Sequence, residues 1–346
     1  MIDAEYVLPL RWSDDTGLDE LAEYLRRIAA VVDVTVVDGS DRELFAAHAA
    51  AFPPGVRHVP VQPWPGRNKK VAGVMTGVRM ARHERIVIAD DDVRYDAGAL
   101  ETVVALLERA DVVTPQNYFA PLPWHARWDT ARILLNRAFG HDYPGTIGVR
   151  RAALAEHGYD GDVLFENLEL IRTVRAGGGT HWAASDCFVA RRPPTARHFL
   201  GQRVRQAYDS FAQPGRLAAE LAILPVSLAL ALRSPRRLLV LAAAAVAVAE
   251  LGRRRDAGRR VFPAGAALWA PFWLLERGVC SWAALALRLR GGVRYSDGRL
   301  RRAGTPLRAL RARRAAAAAA ASGTEVLPTR GRKALNQAPG TAKVRG

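Results

Sequence analysis

The chain has 346 residues, enough for one large domain or two modest ones with a sizeable core. Its formal net charge of +16 is unevenly placed: residues 1–232 carry 26 Lys+Arg against 29 Asp+Glu, a net −3, and residues 233–346 carry 24 against 5, a net +19. The basic character therefore belongs to the C-terminal third and does not mark the whole chain as a nucleic-acid binder; Cys187 and Cys280 are too few and too far apart for a disulfide framework or zinc spacing, which fits a reducing compartment.

At the N-terminus no basic stretch leads into an apolar run, so no cleaved signal is expected. "EYVLPL" reads as a strand and "LDELAEYLRRIAAVV" as an amphipathic helix. "DVTVVDGS" is a second strand closing in a turn, "RELFAAHAAAF" a helix and "VRHVPV" a third strand. "KKVAGVMTGVRMAR" is helical, "RIVIA" a strand, "AGALETVVALLERA" a helix and "DVVTPQ" a strand. Such alternation predicts an α/β fold with a largely parallel sheet covered on both faces. Ligands in such sheets sit at the carboxyl ends of strands.

From about Thr195 the character changes. "TARHFLGQRVRQAYDSF" predicts a helix with a basic face, followed by the apolar runs "LAAELAILPVSLALAL" and "LLVLAAAAVAVAEL". Both are shorter than the ~20 residues of a usual span. They are separated by "RSPRR", and the second is followed by "GRRRDAGRR". A third run, from Val261 to Leu287, is long enough but interrupted by Glu276 and Arg277. Buried Ala/Leu core helices would account for these runs. Apolar runs bracketed by arginines, with Trp269, Trp273 and Trp282 suited to an interfacial belt, argue instead for membrane attachment with an open number of spans. Beyond about Gly304 the chain is Arg/Ala-rich and then Gly/Pro/Thr-rich, which predicts a frayed helix and then disorder.

Chemistry concentrates in "RIVIADDDVRYD". Asp90 and Asp92 can place hard oxygens around one Mg²⁺ or Mn²⁺ while Asp91 points elsewhere, and such ions recruit phosphate oxygens. A solvated turn is the plain alternative, with Asp96 the better N-cap of the following helix. Asp38 ends an earlier strand, where it can accept a nucleobase N–H or merely close an Asx-turn. Lys69 and Lys70 stand at a helix start, where cations are disfavoured unless an anion binds there. His125, His141, His181 and His198 show no ligand spacing.

The segments "VVDGS", "NKKVAGVMTGVRMA", "IADDDVRYDAGAL", "GTIGVRRAAL", "GYDGDVLFENLELIRTVRAGG" and "GQRVRQAY" together resemble glycosyltransferase family 2 over about residues 5–210. The resemblance implies a GT-A fold, Rossmann-like, with a membrane-associated helical region appended. The division expected is 1–194 catalytic domain, 195–216 interfacial helix with the acceptor-side motif, 217–290 membrane-associated helices and 291–346 basic, largely disordered tail. It implies Asp38 at the base, Lys70 before the nucleotide-side helix, Asp90 and Asp91 at the nucleotide sugar, and Asp90 and Asp92 as the metal-associated DxD. Gln202 and Arg205 match QxxR on the acceptor side. Two departures stand out: Asn167 replaces the base aspartate and Gln206 replaces the tryptophan that follows QxxR. Glu166 is then the expected base and Asn167 its positioning partner; Asp162 and Glu169 are the neighbouring carboxylates. The expected reaction is inverting transfer from a nucleotide-diphosphate sugar, a UDP-sugar foremost, to a hydroxyl of a lipid or lipid-linked acceptor. It would need Mn²⁺ or Mg²⁺ and run at the cytoplasmic membrane facing the cytoplasm, with no nucleic-acid partner. A non-catalytic membrane scaffold, or a nucleotide- or nucleic-acid-binding protein acting through its basic tail, are the alternatives.

Overall fold

The computed structural model describes residues 1–295 and 298–321. Strands β1 (Ile2–Leu10), β2 (Val32–Asp38), β3 (Val56–Pro60) and β4 (Arg85–Ala89) alternate with helices α1 (Leu18–Ala29), α2 (Arg42–Ala51) and α3 (Lys69–Met80). These four strands run parallel in the order β3-β2-β1-β4, as the alternation predicts. A short β5 (Val93–Arg94), α4 (Ala97–Leu106), β6 (Val112–Phe119), α5 (Trp124–Phe139), β7 (Thr146–Arg150), α6 (Glu166–Ala176) and β8 (His181–Arg191) complete an eight-stranded sheet. Strand β7 enters antiparallel to both β4 and β6, and β5 antiparallel to β8, so the sheet is mixed beyond β4. Strands β5, β7 and β8 and helix α5 were not expected from the sequence.

The inner strands β1, β2 and β4 carry apolar runs (YVLPL, TVV and IVIA) because both faces are covered. One face packs Tyr6, Leu8, Val34 and Val36 against Leu21, Leu25 and Ile28 of α1 and Leu100 and Val103 of α4. The other packs Val7, Ile86 and Ile88 against Val71, Val74 and Val78 of α3 and Leu170 and Val174 of α6. Gly77 of α3 lies so close to β1 that a Cβ there would sit 2.2 Å from Val7 Cγ1. The strand ends hold the turns in place. Asp41 caps α2 through Leu44 N at 3.0 Å, and Asp96 caps α4 through Ala99 N at 2.8 Å.

The C-terminal third is helical: α7 (Ala196–Tyr208), α8 (Pro214–Arg233), α9 (Pro235–Arg254) and α10 (Ala270–Leu289). Helix α9 lies against α5, where a Cβ on Gly252 would sit 1.9 Å from Leu134 O. The fully buried Arg137 clamps the end of α9 by donating to the carbonyls of Gly252 and Arg255 at 3.1 and 2.6 Å. Among the described residues α8 is the one helix long and apolar enough to cross a membrane, and little of it is buried. Across α8, α9 and α10 the side chains of Leu228, Leu232, Leu239, Val240, Phe272 and Val279 are exposed.

The segment from residue 291, placed as a largely disordered tail, carries ordered elements among its described residues, including the helix expected beyond Gly304. Strands β9 (Val293–Tyr295) and β10 (Gly298–Leu300) form a hairpin, and α11 (Leu307–Ala321) packs on α6. Val293, Leu300 and Ala303 join a core with Leu164, Leu168, Tyr208 and Ala284. The physical reason is the spaced apolar residues among the arginines, which bury while the arginines stay at the surface. The expected disorder further on falls outside the described residues.

Candidate active site

A cleft of about 840 Å³ opens at the carboxyl end of β4. Sheet register builds it. Ala89 pairs with Thr146, so Asp90, one residue on, meets Gly145, and Asp90 N–H donates to Gly145 O at 2.8 Å. A Cβ on Gly145 would come within 2.8 Å of Asp90 Oδ2, so the carboxylate passes where a side chain would stand. Val93 pairs with Arg191, which brings the last residue of β8 beside Asp92.

Lys70, in the first turn of α3, places its Nζ 2.5 Å from Asp90 Oδ1 and 2.5 Å from Glu166 Oε1. Burial opposes the ammonium charge, yet Asp90 and Glu166 outweigh it and hold the Lys70 pKa above the usual lysine range. The cation expected to attract an anion at the helix start is thus met by two carboxylates of the protein. Asn68 N-caps α3, accepting from Lys70 N–H at 3.1 Å, and its own Oδ1 accepts from Tyr295 OH at 2.8 Å.

The three aspartates differ in their partners, and Asp91, expected at the nucleotide sugar, is engaged by the protein. Asp91 turns away to accept from the Trp12 indole N–H. Asp92 Oδ2 accepts from Arg191 Nε at 2.8 Å, while its Oδ1 is buried with no partner. Burial pushes the Asp92 pKa up to about 6, with Arg191 pulling down and Asp90 and Asp91 pushing up. Arg191 also approaches Asp90 Oδ2 at 3.7 Å.

Glu166 opens α6 and lines the cleft with Asn167. Burial raises the Glu166 pKa, Lys70 lowers it and Asp90 raises it; the net direction is up. Asn167 donates through Nδ2 to Pro144 O at 2.8 Å. Gln202 and Arg205 come together on α7, Arg205 Nη1 donating to Gln202 Oε1 at 3.3 Å while its guanidinium stacks 4.7 Å over Tyr295. Gln206, in place of the expected tryptophan, also lines the cleft and accepts from Arg203 Nη1 at 2.8 Å.

Asp38 is not brought into the cleft. It is 2% exposed, and its oxygens are taken by His48 Nδ1 at 2.6 Å, His58 Nε2 at 3.0 Å and Ser40 N–H at 2.8 Å. Burial works against its charge, but hydrogen bonds from His58, His48 and Ser40 hold its pKa below the usual carboxylate range. The Asx-turn reading describes it in this structure. Glu169 is likewise structural, fully buried and accepting from Thr305 N–H at 2.6 Å. Asp162 lines a separate hollow of about 360 Å³ between the Trp64 loop and α11. The sequence reading missed Arg191, Tyr295, Trp12 and Asp209 in the cleft region; only the paired arginines closing "CFVARR" offered a signal.

The donor set fits a divalent cation that shares its shell with a diphosphate. Asp90 and Asp92 supply hard oxygens, and the unpartnered Asp92 Oδ1 is a ligand in waiting. Among the described residues no group of three or more His, Cys, Asp or Glu side chains is arranged to hold a metal alone.

Residues 18–162 match the family model described as Glycosyl transferase family 2. No curated protein matches the chain. Among solved structures, a glucosyl-3-phosphoglycerate synthase from Mycobacterium tuberculosis, in complex with Mn²⁺, UDP and phosphoglyceric acid, is similar at 17% identity and TM-score 0.39. That match covers 57% of this chain and 73% of the synthase. The mannosyltransferase PcManGT from Pyrobaculum calidifontis, in complex with GDP-Man and Mn²⁺, is similar at 16% identity and TM-score 0.45, covering 93% of this chain and 83% of that one.

Proposed function

We propose, from the premise that residues 18–162 are a glycosyl transferase family 2 region, that the chain moves a sugar from a nucleotide-diphosphate sugar to a hydroxyl acceptor, with inversion at the anomeric carbon. UDP-sugars are the first donors to test. The observation that carries this reading is Lys70 Nζ held between Asp90 and Glu166 in one cleft. It joins the side where a diphosphate would leave to the side where an acceptor would lose its proton.

Asp90 and Asp92 would hold Mn²⁺ or Mg²⁺, which when bound supplies Lewis-acid stabilisation of the leaving diphosphate. Lys70 and Arg191 add positive charge at the same end of the cleft, preorganised by the carboxylates they already bond. Glu166 accepts the acceptor's proton as its oxygen attacks the anomeric carbon and the bond from that carbon to the diphosphate breaks. Burial makes this carboxylate more basic than an exposed glutamate, which favours its taking a proton. Asn167 cannot take that proton, since its amide offers only a carbonyl acceptor; it orients the hydroxyl.

A lipid or lipid-linked acceptor at the cytoplasmic face of a membrane is supported by position. Helix α7 lends Phe199, Gln202 and Arg205 to the cleft wall and packs on α10, whose Phe272 and Val279 are exposed beside the apolar faces of α8 and α9.

The test is transfer from a panel of nucleotide sugars to membrane lipid extract with Mn²⁺ or Mg²⁺, in wild type, Glu166→Gln and Asn167→Asp at matched stability. Glu166→Gln is expected to lose transfer by on the order of 10²–10⁴ with donor binding nearly unchanged. Full activity in Glu166→Gln rules it out as base. An inactive wild type revived only by Asn167→Asp means a scaffold.

A further inference from the structure

Beside the cleft lies a second chamber of about 180 Å³ that shares Tyr143, Phe165, Arg191, Gln206 and Asp209 with it. Four arginines line this chamber: Arg132, Arg191, Arg216 and Arg277. Three have carboxylate partners. Arg132 Nη1 donates to Asp142 at 2.6 Å, Arg191 Nε to Asp92 at 2.8 Å and Arg216 Nε to Glu220 at 2.9 Å.

Arg277 differs. It is 1% exposed, stacks 4.9 Å over Trp273, and its Nε and Nη1 have no hydrogen-bond partner. Among the described residues no carboxylate lies within ion-pair distance of it, although the charges of Glu220 and Glu276 act on it from further off. A buried guanidinium with idle donors is destabilising unless something else satisfies it. Asp209 is the chamber's one lining carboxylate, and its Oδ1 also lacks a partner. Burial pushes the Asp209 pKa up to about 7 against the pull of Arg205 and Arg277, so it is a weak counter-charge at neutral pH.

We propose that this chamber is the anion subsite of the acceptor, seating a phosphate ester that the acceptor carries, with Arg277 Nε and Nη1 as the donors. The assignment rests on the glycosyltransferase reading and deepens it. Phosphate oxygens only accept hydrogen bonds, and a planar guanidinium fork matches them. At about 30 Å³ per liquid water, the chamber has room for a phosphate group but not for a sugar nucleotide. The rest of the acceptor would pass the rings of Tyr143 and Phe165, packed edge to face at 4.9 Å and shared by both spaces, to reach the cleft. The phosphate ester belongs either to a lipid or to a small soluble molecule, and the chemistry of the subsite is the same for both.

The full chain in mild detergent is titrated with inorganic phosphate, with glycerol phosphate, and with phosphatidylcholine vesicles with or without phosphatidic acid. Wild type is compared with Arg277→Met, which removes the charge and keeps an apolar stem on Trp273. Without ligand, Arg277→Met is expected to melt at the same temperature or higher, because an unpaired buried charge is gone. Its phosphate affinity is expected to fall by on the order of tenfold or more, with UDP-sugar affinity unchanged. Binding of glycerol phosphate that Arg277→Met abolishes assigns a soluble ester. A response only to phosphatidic acid, again abolished by Arg277→Met, assigns a lipid. Equal phosphate affinity in wild type and Arg277→Met overturns the proposal. If Arg277→Met does not fold, Arg277→Lys takes its place: it keeps the charge and loses the fork, and an unchanged phosphate affinity overturns the proposal equally. Wild type that binds no nucleotide sugar brings down the glycosyltransferase reading instead and leaves the phosphate result legible.

Discussion

At the scale of single residues, Asp209 is where pH acts. The folded chain keeps its proton up to about pH 7, whereas its ordinary value is 3.8. Between those values the folded state binds more protons than the unfolded one, so this group makes stability fall as pH rises from about 4 to about 7, and the loss is constant above that. Asp209→Asn removes the penalty. Melting curves are expected to show the variant more stable than wild type at pH 8, by up to a few kcal/mol at ~1.4 kcal/mol per pK unit, and equal near pH 4. A variant less stable at pH 8 would mean that the ionised carboxylate is held by Arg205 and Arg277 after all. The same scale shows what sequence can reveal. Lys70, Asp90 and Glu166 were legible because each sits at an element end facing the same edge of the sheet. Asp38 misled because it too ends a strand. Its capture depends on His48 and His58, ten and twenty residues on, whose approach is set by α2 and β3 packing and by no local pattern.

At the scale of elements, the alternating half of the chain could be read because each strand carries a short cluster of apolar or β-branched residues and longer helix-forming segments lie between them. The unread elements share a reason. Helix α5 buries His125, Asp129 and Arg137 among its apolar residues, so polar side chains interrupt the stripe that marks a helix. Arg203 explains one of them, bonding Asp129 at 2.9 Å and Glu276 at 2.7 Å and so tying α7 to α5 and α10. Strand β8 mixes polar and apolar residues, and its pairing with β6 shifts register after Pro115. The β9–β10 hairpin was hidden by arginines, yet it carries weight. Leu300 is 1% exposed, and Tyr208 OH donates to Arg301 O at 2.7 Å. Leu300→Ala is expected to cost about 2–5 kcal/mol, read as a shifted denaturation midpoint. A chain cut after residue 290 should lose the cleft's Tyr295 and melt lower. An unaffected melting temperature in the shorter chain would show the hairpin to be an ornament.

At the scale of the whole molecule, the proposed membrane attachment poses the question of how α8 and α9 would meet the bilayer. Arginines flank α9 at both ends: Arg236 and Arg237 begin it, and Arg253 and Arg254 end it, with Arg255 just beyond. From Arg237 to Arg253 the helix rises only ~24 Å, somewhat less than the ~30 Å of the hydrocarbon core. If α9 crossed the bilayer, one cluster would have to lie on the far side, against the preference of arginines for the cytoplasmic face. Lying in the plane of the interface, α9 keeps both clusters on that face, where each arginine gains ~1 kcal/mol near anionic lipid. Two contacts support the second arrangement as part of the proposal. The N-terminal part of α8 is tied to α10 through Trp282 Nε1 donating to Leu221 O at 3.0 Å, and the end of α9 is clamped to α5 by Arg137. Leu228, Leu232, Leu239, Val240 and Leu241 remain exposed around the Ser234 junction, an apolar surface of the kind that enters the headgroup boundary. Among the described residues helix α8 alone has the length and hydropathy of a span, and a single crossing there would carry Ser234 to the opposite side. Ser234→Cys separates the two arrangements, since both native cysteines are buried. A membrane-impermeant thiol reagent is expected to label it in inside-out vesicles and not in intact cells. Labelling from outside intact cells would make α8 a true span.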